Sequence, residues 1–343
     1  MPSPDDQTRH RLSNLVRGAS PWLVAAVVLA LLPYMLRNSY HQYILNVVLI
    51  NVILAIGLNI VKGFAGQITL GHIALAAIGA YTSAVLSATF GFSFWLALPA
   101  SIAVTALAGA IVGIPSFRLE GAYLALATLG LAESVRIIIS GTDALGGAVG
   151  FQNIPPPFFG GVPIDDYRSY YYIVMPIALL AVYLALSILQ SDAGRSFKAI
   201  REDSLAAAAS GINVRKYKTF AFVLSAAYAG CAGSLQAHMS PGFLNPDNYT
   251  IAEMITLQLM VVAGGLGNVW GGIIGAVLVT IFDVFTREFY LYRMIIFGSA
   301  GVLLVIFLPR GVGGLVQDHF VRRRFKDIRE AKRAGPEGVN GAA

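Results

Sequence analysis

The feature that most constrains this 343-residue chain is a series of apolar stretches, each close to the length that crosses a lipid bilayer. A spanning helix needs about 20 predominantly apolar residues. Such stretches lie near 20–36, 43–61, 66–89, 94–114, 121–140, 170–190, 218–238, 250–264, 269–286 and 293–309. Charged residues make up 12% of the chain, against about 25% in an ordinary soluble domain. They are missing from the long segments and crowd between them. The reading is an all-α polytopic membrane protein with about ten transmembrane helices. The third and eighth stretches, Gly- and polar-rich or short, are the candidates for broken or re-entrant helices, which a bilayer tolerates only inside the bundle. Residues 21–36 begin with a proline and lack a small-residue cleavage pattern, so they are kept as a span. The one cysteine, Cys231, provides neither a disulfide framework nor a metal cluster.

Lysine and arginine set the orientation. With the N-terminus in the cytoplasm, roughly 19 basic residues fall inside and about 4 outside, the bias that membrane insertion favours. The inside set includes Arg9, Arg11, Arg17, Lys62, Arg118, six residues of the 191–218 loop and the tail; the outside set is Arg37, Arg168, Arg287 and Arg293. The net charge of +6 is therefore a topology signal, and the tail "VRRRFKDIREAKRAG" is read as meeting anionic lipid, with no nucleic-acid partner. Residues 1–19 form a cytoplasmic N-terminal segment, 20–309 the transmembrane unit and 310–343 a basic cytoplasmic tail. The external 141–169 loop, with "NIPPPFFGGVPIDD", is expected to be ordered.

The longest hydrophilic stretch inside the apolar chain is "SFKAIREDSLAAAASGINVRKYKTF", residues 196–220, in a cytoplasmic loop over 191–217. Asp203 is placed to cap a helix over "SLAAAAS", and Gly211 to end it in the left-handed conformation with Ile212 after it. A helix this short does not persist alone in water and needs a surface to pack against. Arg201, Glu202, Arg215, Lys216 and Lys218 give it a charged rim, as around docking surfaces.

"FKAIREDSLAAAASGINVRKYK" resembles the cytoplasmic coupling loop of ABC-importer permeases and is most similar to the branched-chain amino-acid family. Three further stretches resemble that family in order: "GFAGQITLGHIALAAIGAY" (63–81), "LEGAYLALATLGLAESVRIII" (119–139) and "VVAGGLGNVWGGIIGAVL" (261–278). Thr69 stands where serine is common. The resemblance covers about residues 45–315, and neither end of the chain carries anything diagnostic. It implies that the short helix seats in a groove of an ATPase subunit, with Arg201, Glu202, Asp203, Ala206, Ala207 and Gly211 as the docking positions. It also implies a homologous second permease, two ATPase subunits and an external solute-binding protein as partners. The substrates implied are Leu, Ile and Val, while related permeases carry urea, amides or other amino acids. The chain has no G-x-x-x-x-G-K-[ST] loop, so ATP and Mg would be bound by the partners and this chain is expected to hold no cofactor and to be no enzyme. The location implied is the inner membrane, with both termini cytoplasmic.

Polar residues inside spans are costly and serve as functional suspects. Glu133 and Arg136, three apart on one helix face, are expected to pair. Gln67, Thr69, His72 and Thr128 are candidates to line the pathway. Asn46, Asn51 and Asn59 suggest a polar stripe; Glu253 and Asp283 are further intramembrane acids. Gly109/Gly113, Gly267/Gly271 and Gly271/Gly275 have the four-residue spacing of close helix packing. "GFAGQI" and "GGLGNV" are alike and lie in opposite halves, as a trace of an internal repeat would. The competing class is an ion-coupled secondary transporter using Glu133, Arg136 or His72; a membrane enzyme is a third, with no H-E-x-x-H or G-x-S-x-G to support it.

Overall fold

A computed structural model describes residues 27–313, except 37, 120, 240–241, 287–291 and 308–310. The N-terminal segment 1–19, the start of the first span and the tail beyond 313 lie outside the described residues. The chain is helical over 27–35 (α1) and then over Ser39–Asn59 (α2), where the Asn38 side chain accepts the Tyr40 N–H at 2.9 Å. α2 is apolar around most of its circumference, and such a helix is buried on all sides. Its last eleven residues carry little exposed surface. A π-helical turn, Ile60–Phe64, extends it.

Helices α3 (His72–Ala88), α4 (Phe94–Gly113) and α5 (Ala122–Ser140) follow. α6 (Tyr167–Gln190) leads into α7 (Asp192–Glu202) and the six-residue α8 (Ser204–Ala209). α9 (Val214–His238), α10 (Ile251–Gly264), α11 (Val269–Thr286) and α12 (Arg293–Phe307) complete the described chain. α9 is the hub and packs on α2, α3 and α4, while α10 and α11 form a hairpin against α2.

The reason α9 can be central lies in its neighbours' side chains. In α4 the buried residues Ala97, Ser101, Thr105, Gly109 and Gly113 fall at every fourth position, forming one small-residue stripe. Gly113 leaves no room for a side chain: an added methyl would sit 2.9 Å from the Phe222 Cβ of α9. Ser101 donates to the Gly79 and Gly230 carbonyls at 2.7 and 3.1 Å, satisfying its hydroxyl inside the bundle. Gly271 and Gly275 pack in the same way against α10. Gly267 does not: it lies in the α10–α11 turn at φ +79°, so the Gly267/Gly271 pairing is not a helix–helix contact.

Six helices among the described residues are long and apolar enough to cross a membrane: Ser39–Phe64, Phe94–Gly113, Ala122–Ser140, Tyr167–Gln190, Val214–His238 and Val269–Thr286. α3 and α10 are shorter, at 17 and 14 residues. These are the third and eighth stretches. The Gly-rich run before α3 is irregular backbone over 65–71, and α10 is bounded by the short helical turn Pro246–Tyr249 and by Gly265 at φ +107°. The 141–169 loop is ordered, as expected. Its two-stranded hairpin pairs Phe158–Phe159 (β1) with Val162–Pro163 (β2), and Phe151 exchanges main-chain bonds of 2.8 and 2.9 Å with Leu244. The chain is a multi-pass membrane protein, and this hairpin is its one sheet among the described residues.

Candidate functional site

Residues 191–213 fold as two helices on one end of the bundle, opposite the 141–169 loop. α7 is amphipathic: Gly194, Phe197 and Ile200 are buried, and Phe197 meets Tyr217 and Phe220 of α9 at ring separations of 6.2 and 6.1 Å. A single residue, Asp203, links α7 to α8. Its carboxylate accepts the Leu205 and Ala206 N–H groups at 2.8 and 3.0 Å, the capping read from the sequence. At the other end Gly211 stands at φ +86°, and the N–H groups of Gly211 and Ile212 return to the Ala208 and Ala207 carbonyls at 3.0 Å each.

The orientation of this helix separates the expected docking positions. Ala207 is buried against the bundle at 3% exposure, so it faces away from any docked partner. Leu205 is 82% exposed and is the large apolar side chain that α8 presents outward. Glu202, Asp203, Ala206 and Gly211 are on the open side with it. Arg201 is exposed as well, and its guanidinium reaches across to donate to the Gly63 carbonyl in the π-helical turn. The four consecutive alanines 206–209 hold no signal for which side packs; Leu205 is marked only as the one bulky residue in the helix.

The two Gly-rich motifs meet beneath this helix pair. Asn59 accepts the Gly267 N–H at 3.0 Å and donates to the Asn268 carbonyl at 2.8 Å, tying α2 to the α10–α11 turn. Lys62 donates to Gln258 of α10, and Gln258 donates to the Thr69 carbonyl at 2.7 Å.

The expected pathway-lining residues belong to the same packed seam. The Thr128 hydroxyl accepts the Leu70 N–H at 2.9 Å and donates to Leu124 O at 2.8 Å. Thr69 accepts the Gly71 N–H at 3.2 Å, and Gln67 donates to Ala65 O at 3.2 Å. His72, buried at the start of α3, shares a 3.0 Å hydrogen bond with Ser225 of α9. All four are buried, and none lines a described cavity. Gln67, Thr69 and Thr128 thus each bond a main-chain group in the break before α3.

A cavity of about 180 Å³ lies elsewhere, between α2, α3, α9, α10 and α11. Asn51, Thr280, Glu253 and Asp283 supply its polar wall, with Gln236 and Asn248; Leu54, Ile73, Leu257 and Met260 supply its apolar wall. Asn51 donates to Thr280 at 2.9 Å. Of the three asparagines read as a stripe, Asn51 alone lines it; Asn46 donates to Tyr167 O at 2.8 Å and Asn59 to Asn268 O. The intramembrane acids at 253 and 283 were the available signal for this cavity.

Glu133 and Arg136 pair as expected, with Nε 3.1 and 3.2 Å from the two carboxylate oxygens, and Asp247 adds a further oxygen at 3.9 Å. The pair is partly exposed at the 141–169 end, with side-chain exposures of 36% and 27%. Glu133 and Arg136 engage each other while His72 engages Ser225 of α9, so the three form no common site.

Comparison with known proteins agrees with this architecture. Residues 40–308 match the family model described as branched-chain amino acid transport system / permease component. The high-affinity branched-chain amino acid transport system permease protein LivM of Escherichia coli (strain K12) is 34% identical over 316 residues, covering 85% of this chain and 74% of the relative. The LivM of Salmonella typhimurium is 35% identical over the same length, with the same coverage. The LivH permease protein of Escherichia coli (strain K12) is 26% identical over 290 residues, covering 76% of this chain and 90% of the relative. No solved structure matches. With a family model spanning most of its length and a membrane-helix bundle built around the motifs described above, this chain belongs to the branched-chain amino acid transport system permease family.

Proposed function

We propose that this chain is one permease half of an ATP-driven importer of branched-chain amino acids, and that α8 is the seat of an ATPase subunit. The observation that carries the second part is the capped, six-residue helix presenting Leu205 to solvent. A bulky apolar side chain at 82% exposure on a turn held by one cap fits a site that a partner protein covers. Such a helix does not stand alone. The partners are then a homologous permease, two ATPase chains holding ATP and Mg, and an external solute-binding protein.

In this reading about ten apolar segments enter the bilayer, with α3 and α10 as the partial ones. Residues 20–309 form the transmembrane unit, both termini lie in the cytoplasm, and the membrane is the inner one. The cavity at Asn51 and Thr280 is the polar feature we assign to solute passage in this chain: its wall pairs carboxylates and amides with aliphatic side chains, a match for an aliphatic amino acid.

The test is co-purification from detergent with this chain tagged. Wild-type protein should bring down a second permease and P-loop ATPases. Leu205→Asp should lower the ATPase recovered about tenfold or more while the second permease stays bound, the scale of one central interface residue. Full ATPase recovery with Leu205→Asp would overturn the seat at α8.

A further inference from the structure

We propose that Arg201 transmits movement of the α7–α8 pair into the bundle, by holding the π-helical turn of α2 and the α10–α11 turn to the last turn of α7. This rests on the reading that an ATPase moves α8, and it adds a route: the flanking spans α6 and α9 are joined by a side-chain link to helices distant in sequence.

Three features of the structure carry it. First, a single residue separates α8 from the turn that holds Arg201. Asp203 is at once the last cap of α7 and the first cap of α8, with extended backbone at φ −156°, ψ 114°. Displacing α8 therefore drags the final turn of α7, in which Arg201 lies.

Second, the π-helical turn leaves Arg201 its acceptor. In a continuing α-helix the Gln67 N–H would close on the Gly63 carbonyl; here it donates to Val61 O at 3.0 Å, and the Ala65 N–H to Ile60 O at 3.1 Å. The Gly63 carbonyl takes the Arg201 guanidinium instead. A hydrogen bond from a permanent cation is among the strong ones.

Third, the receptor is shaped for that side chain. A methyl group at Gly66 would sit 3.1–3.3 Å from the Arg201 Cα, Cβ and Cγ, and one at Gly267 would collide with the guanidinium. Gly267 is at φ +79° and donates its N–H to Asn59, which also holds Asn268. The guanidinium thus rests on two turns already bolted to each other. The paired motifs at 63–66 and 265–267, alike in sequence, are two walls of one slot.

The experiment uses the whole importer (this chain, its partner permease, the ATPase subunits and the binding protein) reconstituted in liposomes. Arg201→Met keeps the length and loses the donors; Arg201→Lys keeps the charge and loses the fork. Two quantities are read: ATPase bound per permease, and substrate taken up per ATP hydrolysed. Arg201→Met is expected to bind ATPase as wild type does, while uptake per ATP falls about tenfold, the scale of one lost charge-assisted hydrogen bond. Arg201→Lys should recover part of the ratio. A merely structural role would lower the melting temperature of both variants and leave uptake per ATP unchanged, which overturns the proposal. Loss of bound ATPase in Arg201→Met would place Arg201 on the docking surface and overturn it too. If Arg201→Met does not assemble, Arg201→Lys decides alone: a wild-type ratio overturns the link, a reduced ratio with full ATPase binding supports it. Full ATPase binding by Leu205→Asp would instead count against the seat at α8, so the two failures are distinct.

Discussion

At the scale of single residues, Asp203 carries the local order of the docking helix. Its carboxylate satisfies two N–H groups of a helix too short to hold itself. Asp203→Ala should cost about 1 kcal/mol of local helix stability. Hydrogen exchange at the Leu205 and Ala206 amides should quicken about fivefold, with exchange in α9 unchanged. Equal exchange in both proteins would show that the buried Ala207 alone secures the turn. The cap and the Gly211 stop were legible because both follow from backbone chemistry local in sequence. The bond from Arg201 to Gly63 was not legible. Its acceptor is a main-chain carbonyl, released by a π-helical turn that no side chain announces. The burial of Ala207 was hidden for a different reason: four alanines in a row look alike from every side, and the bundle decides which one it covers. Thr69 and Thr128 stood out because polar groups in a span are costly, and each accepts a main-chain N–H in the helix break before α3.

At the scale of elements, close approach of α4 to α9 depends on a stripe with no bulk. Of the stripe, the glycine pair at 109 and 113 was visible in the sequence; Ala97, Ser101 and Thr105 extend it two turns further, which small size alone does not reveal without the partner helix. Gly109→Leu should overpack the α4–α9 contact, where Phe222 O lies 2.8 Å from an added methyl. The cost is about 1–3 kcal/mol, read as a lower melting temperature of the isolated chain in detergent. Gly130→Leu on α5, where an added methyl meets nothing within 4 Å, should leave that temperature within error. A similar drop in both variants would show that helix propensity, not packing, sets the loss. The breaks before α3 and around α10 were legible from glycine content and length, since both act through the main chain.

At the scale of the whole molecule, the apolar stretches and the scarcity of charge within them made the multi-pass membrane class readable before any contact was known. What they left open was assembly: which motifs meet, and where the polar cavity lies. Glu253 and Asp283 are 30 residues apart in sequence and come together only because α10 and α11 fold back on each other. Orientation can be tested with the single native thiol, Cys231, which is buried among the helices. Gly160→Cys, in the turn between β1 and β2, should react with a membrane-impermeant maleimide on intact cells with the outer barrier opened. Ser210→Cys, beside the end of α8, should react only after the membrane is permeabilised. The reverse pattern would invert the assignment of both loops.

The slot that holds Arg201 is built from a carbonyl and from the absence of side chains. No partner side chain has to change in step when Arg201 changes, and a glycine has no smaller residue to become. A search for positions that vary together among relatives would therefore pass over this link. Its evolutionary trace would be two invariant glycines, each explicable as a tight turn, and an invariant arginine, with nothing to say that they describe one contact.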